Sequence, residues 1–206
     1  SLTVITLALA GIAAFAFSVV AYELKLIASL NLQIIEQNNQ MGILQEQMKQ
    51  LKTENAAAYD TSRHISVSLK ENKLYLMEGR DAVRTIKVAT GSGRKVQKFG
   101  REFEFVTPTG RFPILKKDVD PIWYAPDWDW IERGETVPED LTMEDRARKG
   151  VMGKYALRLG DGIAIHGTDK PWTIGQYATH GCVRVGAKDL EILFNSVDTG
   201  TIVYIY

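Results

Sequence analysis

The chain has a single cysteine, Cys182, and only three histidines among its 206 residues. One cysteine cannot form an intramolecular disulfide, so Cys182 is either a buried packing residue or a reactive thiol. The chain also has no excess charge, because 25 basic side chains balance 25 acidic ones. This balance argues against a nucleic-acid-binding protein, which usually carries a strong basic excess. We expect no metal ion and no cofactor.

Residues 1–22 lack any charged side chain. A helix of that length, at about 1.5 Å per residue, spans a hydrocarbon core of about 30 Å. We therefore predict a transmembrane helix at 1–22 that anchors the chain once in a membrane. A cleaved secretory signal is the alternative, although its apolar core is usually shorter, at roughly 7 to 15 residues.

Residues 23–60 are predicted to continue as a helical stalk. Between 24 and 51 the apolar residues follow a three and four spacing that is typical of a coiled-coil seam. The seam consists of Ile27, Leu30, Ile34, Gln37, Met41, Leu44, Met48 and Leu51. This pattern favours a parallel homo-oligomer, most simply a dimer. The flanking side chains are uncharged amides that cannot select a partner by charge, so packing of the stripe on another protein, such as a membrane-protein partner, or on the chain's own domain is an equal alternative.

Residues 61–206 are predicted to form one mainly β domain, which is long enough to bury its own core. Period-two alternation predicts seven strands, at 64–69, 73–78, 83–90, 110–115, 154–159, 162–167 and 201–206. One helix is predicted at 187–194, where Leu190, Leu193 and Phe194 share a face.

The segment 118–145 interrupts this strand pattern with ten acidic side chains, one basic side chain and three of the four tryptophans. Long loops inside compact domains are usually functional or disordered. Four aromatic residues make disorder a poor interpretation: Trp123, Tyr124, Trp128 and Trp130. We predict an ordered flap over a cleft, and the alternative is that these aromatic rings only pack against the side of the sheet.

The stretch THGCVR (179–184) surrounds the cysteine with residues that suit acyl transfer. Gly181 lets the backbone approach a substrate, and the amides of Gly181 and Cys182 can point at one oxygen, as an oxyanion hole requires. His166 ends a predicted buried strand, and it can supply the base that a thiol needs. His180 lies two residues before Cys182, on the same face of an extended chain, so it is a rival base.

The stretch IHGTDKPWTIGQYATHGCVRV (165–185) resembles the signature of the YkuD-type L,D-transpeptidase family, in which an IHGT histidine precedes an [S/T]HGC motif. TPTGRFPI (107–114) also resembles the TPxGxF strand of that family. The resemblance covers about 63–206. It implies the β-sandwich-like fold of these enzymes, here with one or two short helices, and a cysteine acyl-enzyme reaction on peptidoglycan stem peptides.

The resemblance also implies roles for individual residues. Cys182 matches the nucleophile and His166 its base, with the carbonyl of Gly167 orienting the imidazole ring. Thr179 and His180 are then expected to shape the pocket.

Two further residues are candidates by position. Arg184 alternates with Cys182 along the chain and is suited to bind a substrate carboxylate. Tyr155 lies upstream on the same strand pair and is a candidate oxyanion donor, although no motif assigns it that role.

In the implied reaction, Cys182 attacks the carbonyl of the third stem residue and releases the terminal D-alanine. The acceptor stays open: a stem-peptide amine gives a cross-link, a protein amine anchors a protein, and water makes the enzyme a carboxypeptidase. A non-catalytic peptidoglycan-binding scaffold is the alternative from another class. A papain-like peptidase is disfavoured because its histidine follows its cysteine, whereas His166 precedes Cys182.

Overall fold

The computed structural model describes the backbone from Leu2 onward and the side chains from Phe17 to Tyr206. Most of the predicted membrane span at 1–22 therefore lies outside the residues whose side chains are described. The chain divides into two compact units, 1–48 and 49–206. The first unit is entirely helical, and the second contains the β domain.

A single helix, α1 (Leu2–Tyr59), accounts for the first unit and enters the second. Within the described residues, Phe17–Tyr59 contains a window with a mean hydropathy of 1.3, which is long and apolar enough to cross a membrane. A signal sequence would have the same property. The apolar residues of the predicted seam are all exposed, and Leu30, for example, is 47% exposed.

The β domain contains fourteen strands among the described residues. They are β1 (Arg63–Ser68), β2 (Lys73–Glu78), β3 (Asp81–Gly91), β4 (Lys95–Lys98), β5 (Arg101–Glu104), β6 (Gly110–Pro113), β7 (Lys116–Val119), β8 (Trp123–Tyr124), β9 (Ala147–Arg148), β10 (Tyr155–Gly160), β11 (Ile163–His166), β12 (Tyr177–Thr179), β13 (Val183–Val185) and β14 (Ile202–Ile205). Three helices and a 3-10 turn complete the domain: α2 (Asp127–Arg133), α3 (Met143–Arg146), α4 (Ala187–Ser196) and Pro171–Thr173. The prediction of a mainly β domain with few short helices, after a long N-terminal helix, is confirmed.

Ten strands form one mixed sheet in the order β6-β14-β1-β2-β3-β13-β11-β10-β7, with β12 paired to β3. All seven predicted strands are present within this sheet. The prediction missed the other three strands of this sheet, which are β12, β13 and β7. The sequence of β7, KKDV, is mostly charged. This strand lies at the edge of the sheet, and charged side chains are common there because they discourage pairing with another chain.

The sheet curls so that its two halves share one core. Ile65 and Val203, from β1 and β14, belong to the same buried cluster as Ile165 and Val183, from β11 and β13. Helix α4 adds its apolar stripe to this core through Leu190 and Leu193. The opposite face of β10 and β11 carries small residues, and this second face holds the candidate site.

Candidate active site

The nucleophile loop joins β12 to β13. Gly181 has a φ of +134°, a conformation that L side chains rarely adopt. A Cβ at Gly181 would also lie 3.1 Å from the carbonyl oxygen of Val106. Buried Thr179 closes the loop, because its Oγ1 donates to the carbonyl of Cys182 at 2.6 Å and accepts from the amide of Gly181 at 3.2 Å. One of the two predicted oxyanion donors therefore has a hydrogen-bond partner inside the loop.

The TPTGRFPI segment lies beside this loop. The hydroxyl of Thr107 accepts a hydrogen bond from the amide of Gly91, at the end of β3, at 2.8 Å. A Cβ at Gly91 would lie 2.5 Å from the amide nitrogen of Thr107, so only glycine allows the two backbones to approach this closely. The motif therefore supports the wall against which the nucleophile loop packs.

His166 is the last residue of β11, and only 6% of it is exposed. Its Nδ1 lies 2.5 Å from the carbonyl oxygen of Gly167. A carbonyl only accepts hydrogen bonds, so Nδ1 carries the proton and Nε2 is the acceptor nitrogen of the neutral ring. Burial lowers the pKa of His166 to about 4, with smaller contributions from the charges of Arg184 and Arg158.

Close packing of two glycines holds the Gly167 carbonyl in place. A Cβ at Gly167 would lie 3.0 Å from the Cα of Gly153, and a Cβ at Gly153 would lie 2.8 Å from the Cα of Gly167. A larger residue at either position would push the two backbone segments apart. The orientation of the His166 ring thus depends on the close contact between Gly153 and Gly167.

Strand register brings His166 and Cys182 to one face of the sheet. The parallel pairing of β11 with β13 aligns Ile165 with Val183, so Cys182 lies beside Ala164. Ala164 and His166 leave the strand on the same face, because side chains alternate. Cys182 packs against a small cluster that contains Ala164. The register therefore places the predicted base within two positions of the predicted nucleophile, on a floor of small side chains.

The uncharged forms of Cys182 and His166 are favoured, and Sγ of Cys182 lies 3.5 Å from the carbonyl oxygen of Gly162. Burial raises the pKa of Cys182, and this effect outweighs a hydrogen bond from the backbone of Ala164 and the charges of Arg158 and Arg184. The same physical cause lowers the pKa of His166. At neutral pH the site therefore holds a thiol and a neutral imidazole, and proton transfer must accompany attack on a substrate.

His180 is enclosed by side chains. Its Nε2 lies 2.7 Å from Oε2 of Glu132. The Trp128 ring stacks on the imidazole with centroids 4.1 Å apart, and the Phe105 ring meets it edge-on at 4.4 Å. Burial, followed by the charges of Arg184 and Arg94, lowers the pKa of His180. The neutral ring therefore donates to Glu132 through Nε2.

Arg184 is half-buried beside both histidines. It aligns with His166 in the register of β11 and β13, and its Nη1 lies 3.5 Å from the carbonyl oxygen of Ala178. Burial lowers the pKa of its guanidinium group, and the charge of Asp169 opposes this effect. The guanidinium thus places a positive charge next to the predicted nucleophile.

Residues 62–205 match the YkuD family, which is described as the L,D-transpeptidase catalytic domain. The chain belongs to this family. A probable L,D-transpeptidase ErfK/SrfK of Salmonella typhimurium is 30% identical over 152 residues, covering 71% of this chain and 45% of the relative. A putative L,D-transpeptidase YkuD of Bacillus subtilis is 27% identical and covers 69% of this chain and 65% of the relative. The chain thus spans less than half the length of its Salmonella relative.

Solved structures show the same fold. The crystal structure of an L,D-transpeptidase from Xylanimonas cellulosilytica aligns with a TM-score of 0.53 at 22% identity, over 71% of this chain and 61% of that one. The NMR structure of an L,D-transpeptidase catalytic domain from E. faecium aligns with a TM-score of 0.50 at 16% identity, over 72% and 99%. The expected family relationship and the expected fold are therefore both confirmed.

The aromatic residues of the predicted flap divide into two pairs in this L,D-transpeptidase domain. Trp128, on α2, stacks on His180, and Trp123 packs against the small cluster that includes Cys182. Trp130 is buried with two arginines over its ring, and Tyr124 is 45% exposed. The first pair thus lies near the candidate site, because Trp128 contacts His180 and Trp123 packs on the same cluster as Cys182.

Helix α2 holds the flap against neighbouring elements of the domain. Asp127 and Asp129 lie in its first turn, where negative charge is favoured, and Gly134 ends it in a left-handed conformation. Glu132 forms an ion pair with Arg94, and Asp127 forms another with Arg101 on β5, at 2.7 Å. Two ion pairs therefore connect the flap to the segment that contains the β4–β5 hairpin.

Tyr155 lies on the other face of the sheet from Cys182. Its ring stacks on Phe194 with centroids 4.5 Å apart and packs against the main core. Alternation along β10 explains this position, because Tyr155 shares a face with Leu157, whereas Ala156 faces the site. The structure thus gives the Tyr155 ring a packing environment rather than a place beside the nucleophile.

Sequence reasoning missed three residues near the site: Phe105, Glu132 and Arg158. Glu132 was one acidic residue among ten in its segment, and nothing in the sequence distinguished it. Arg158 could have been found, because alternation in KYALRL places it on the face opposite to the leucines. Among the described residues, no group of three or more histidine, cysteine or acidic side chains is arranged to hold a metal ion.

Proposed function

We propose that this domain is a cysteine L,D-transpeptidase that acts on peptidoglycan stem peptides. The observation that carries the proposal is the shared sheet face of Cys182 and His166, with Nδ1 of His166 bonded to the carbonyl of Gly167. This arrangement orients Nε2 of the neutral ring as a proton acceptor. His180 is the weaker candidate for the base, because its ring is packed against Trp128 and Phe105.

In the proposed reaction, Nε2 of His166 accepts the thiol proton as Sγ of Cys182 attacks the carbonyl carbon of the third stem residue. The amide of Cys182 stabilises the resulting oxyanion. When the C–N bond breaks, the departing amine of the terminal D-alanine takes the proton from His166, and a thioester remains on Cys182. An acceptor amine then attacks the thioester, loses its proton to His166 and releases the thiol.

The experiment that tests this proposal is incubation of the soluble domain with purified disaccharide tetrapeptides, followed by mass spectrometry. We expect release of D-alanine and a cross-linked product, and no release by the Cys182→Ala variant. Cys182→Ser should also be inactive, because a hydroxyl has too high a pKa to replace the thiol beside a neutral imidazole. Hydrolysis without cross-linking would identify a carboxypeptidase, and binding without turnover would identify a scaffold.

We also propose that residues 1–22 anchor the enzyme in the inner membrane, and that the stalk at 24–51 associates with a second copy on the periplasmic side. The support for association is the exposed apolar seam, since each large apolar side chain left in water costs roughly 1.5 to 3 kcal/mol. Two anchors in one membrane also present their stalks in parallel at high effective concentration.

Cysteine cross-linking in membranes tests this association. In a Cys182→Ala background, Leu30→Cys should give a disulfide-linked pair because position 30 lies in the seam. Ser29→Cys is the matched control, since the neighbouring position points away from a two-stranded seam. If neither variant forms a disulfide-linked pair, self-association is contradicted. A different membrane protein would then be the partner of the apolar seam.

A further inference from the structure

A second arginine shares the sheet face of the nucleophile. Arg158 on β10 aligns with Ala164 on β11, and Ala164 lies beside Cys182. At about 4.8 Å between neighbouring strands, the Cα atoms of Arg158 and Cys182 are about 10 Å apart, with Ala164 on the strand between them. A β-bulge follows Arg158 directly, and bulges next to active sites commonly redirect a side chain.

Arg158 is held in place at one end of its guanidinium group. Its Nε donates to Oδ2 of Asp118 at 2.9 Å, and Lys116 binds Oδ1 of the same carboxylate at 2.7 Å. Two positive charges share one negative charge, so this cluster has a net charge of about +1. The bond through Nε orients the planar fork whose terminal nitrogens can bind a carboxylate at two points.

The charge of Arg158 acts on both members of the catalytic pair. It lowers the pKa of Cys182 and that of His166, although burial has the larger effect on each. The side chain of Arg158 is 32% exposed, so a substrate can reach it from solvent. Arg184 lies two residues along the chain from Cys182, whereas Arg158 lies two strands across the sheet. The two cations therefore approach the nucleophile from different directions.

We propose that Arg158 forms a second carboxylate-binding subsite, separate from Arg184, for the acyl donor of the reaction. This inference rests on the proposed function, and it adds a requirement that the donor carries two carboxylates near the scissile carbonyl. A stem peptide offers two sources of the second carboxylate: the C-terminus of the leaving residue and the side chain of the residue that becomes acylated. Arg158 recognises one of these and thereby selects donors in which it is not amidated.

The test compares three tetrapeptide donors: the unmodified peptide, its C-terminal carboxamide, and a peptide whose third residue has an amidated side-chain carboxylate. Arg158→Gln should lower kcat/KM on the unmodified donor by about 10- to 100-fold, as expected for loss of a charge-assisted hydrogen bond. On the donor that lacks the recognised carboxylate, the loss should be much smaller, because only the effect of the Arg158 charge on Cys182 and His166 remains. Arg158→Lys should recover part of the loss, because it restores charge but not the fork.

Arg84→Gln is the matched control. Arg84 also pairs with an aspartate, Asp189, at 2.8 Å, and its side chain is 38% exposed. Because that ion pair connects β3 with α4, its removal should lower activity equally on all three donors, and by little. An equal loss on all three donors for Arg158→Gln would overturn the subsite, because Arg158 would then act only on the catalytic pair or on folding.

A binding measurement separates this proposal from the proposed function. In a Cys182→Ala background, Arg158→Gln should weaken binding of the unmodified tetrapeptide but not of the donor that lacks the recognised carboxylate. If the wild-type domain turns over none of the donors yet shows this pattern of binding, the proposed reaction is wrong and the subsite stands. If the Cys182→Ala protein binds the unmodified tetrapeptide equally well with and without Arg158→Gln, the subsite is overturned, whatever activity the enzyme shows.

Discussion

The two histidines near Cys182 are held in different ways. His166 ends a strand of the curled sheet, and its ring is oriented by the carbonyl of the next residue, Gly167. His180 lies in the nucleophile loop and is enclosed by side chains from distant parts of the chain, including Glu132 and Trp128. Burial lowers the pKa of both rings, so titration alone does not distinguish their roles.

The two rings differ in what surrounds them rather than in their hydrogen-bonding capacity, because each donates through one nitrogen and keeps the other as an acceptor. A ring that donates to a backbone carbonyl keeps its acceptor nitrogen directed away from that carbonyl, where it can take a proton from a thiol. A ring that stacks on tryptophan and donates to a carboxylate links the flap to the nucleophile loop. The comparison therefore supports our proposal that His166 transfers the proton and that His180 positions the loop.

Replacing each histidine in turn is the strongest test of these two proposed roles. We expect His166→Ala to slow acylation of Cys182 by about 10²- to 10⁴-fold, which is the usual contribution of a general base. His180→Ala should cost about tenfold or less, because it removes packing and one hydrogen bond. Acylation by a carbapenem, followed by intact mass, measures this half-reaction without an acceptor. A larger loss for His180→Ala would exchange the two roles.

The pH dependence of kcat/KM sharpens the comparison further. His166 accepts a proton only when neutral, and its pKa of about 4 keeps it neutral across the physiological range. Activity should therefore fall as the pH drops through about 4, by about tenfold per unit below it. An acid limb centred near the ordinary histidine value of about 6.5 would contradict a buried base.

The free energy of unfolding should change with pH in the same direction as activity. The loss of activity at low pH therefore needs a control for unfolding. The unfolded chain takes up protons on His166 below about pH 6.5, whereas the folded chain does not until about pH 4. The free energy of unfolding should therefore decrease as the pH falls between these values. Circular dichroism at each pH separates loss of the base from loss of the fold.

The smallest expected effect concerns Glu132. Glu132→Ala removes the acceptor for Nε2 of His180 and the ion pair with Arg94, and should raise KM by about 2- to 10-fold with little change in kcat. Glu132→Gln should recover most of the loss, because an amide oxygen still accepts from the neutral ring. Glu135→Ala, which removes an exposed ion pair with Arg133 next to the same helix, is the matched control. A change in kcat alone would give Glu132 a role in the chemistry.

Much of the domain could be predicted before its structure was known. Alternation located seven strands because each buries one face, and the IHGT and THGC motifs provided the candidates for the nucleophile and the base. The short, charged strands β4, β5 and β7 were missed because they lie in a separate hairpin or at the sheet edge, where apolar alternation is not required. Helix α2 was missed because its charges and aromatic rings do not form an apolar stripe.

The sequence by itself determined the family and seven of the fourteen strands, and it singled out Cys182, His166 and Arg184 as candidates, because these depend on local alternation and on motifs of a few adjacent residues. Only the tertiary structure decided which side chains surround them. Glu132 meets His180 across 48 positions of chain, and Arg158 reaches the cysteine face only because β10 pairs with β11 in one register. Such contacts follow from which strands become neighbours, and that choice is made by burial of the whole core rather than by any one segment.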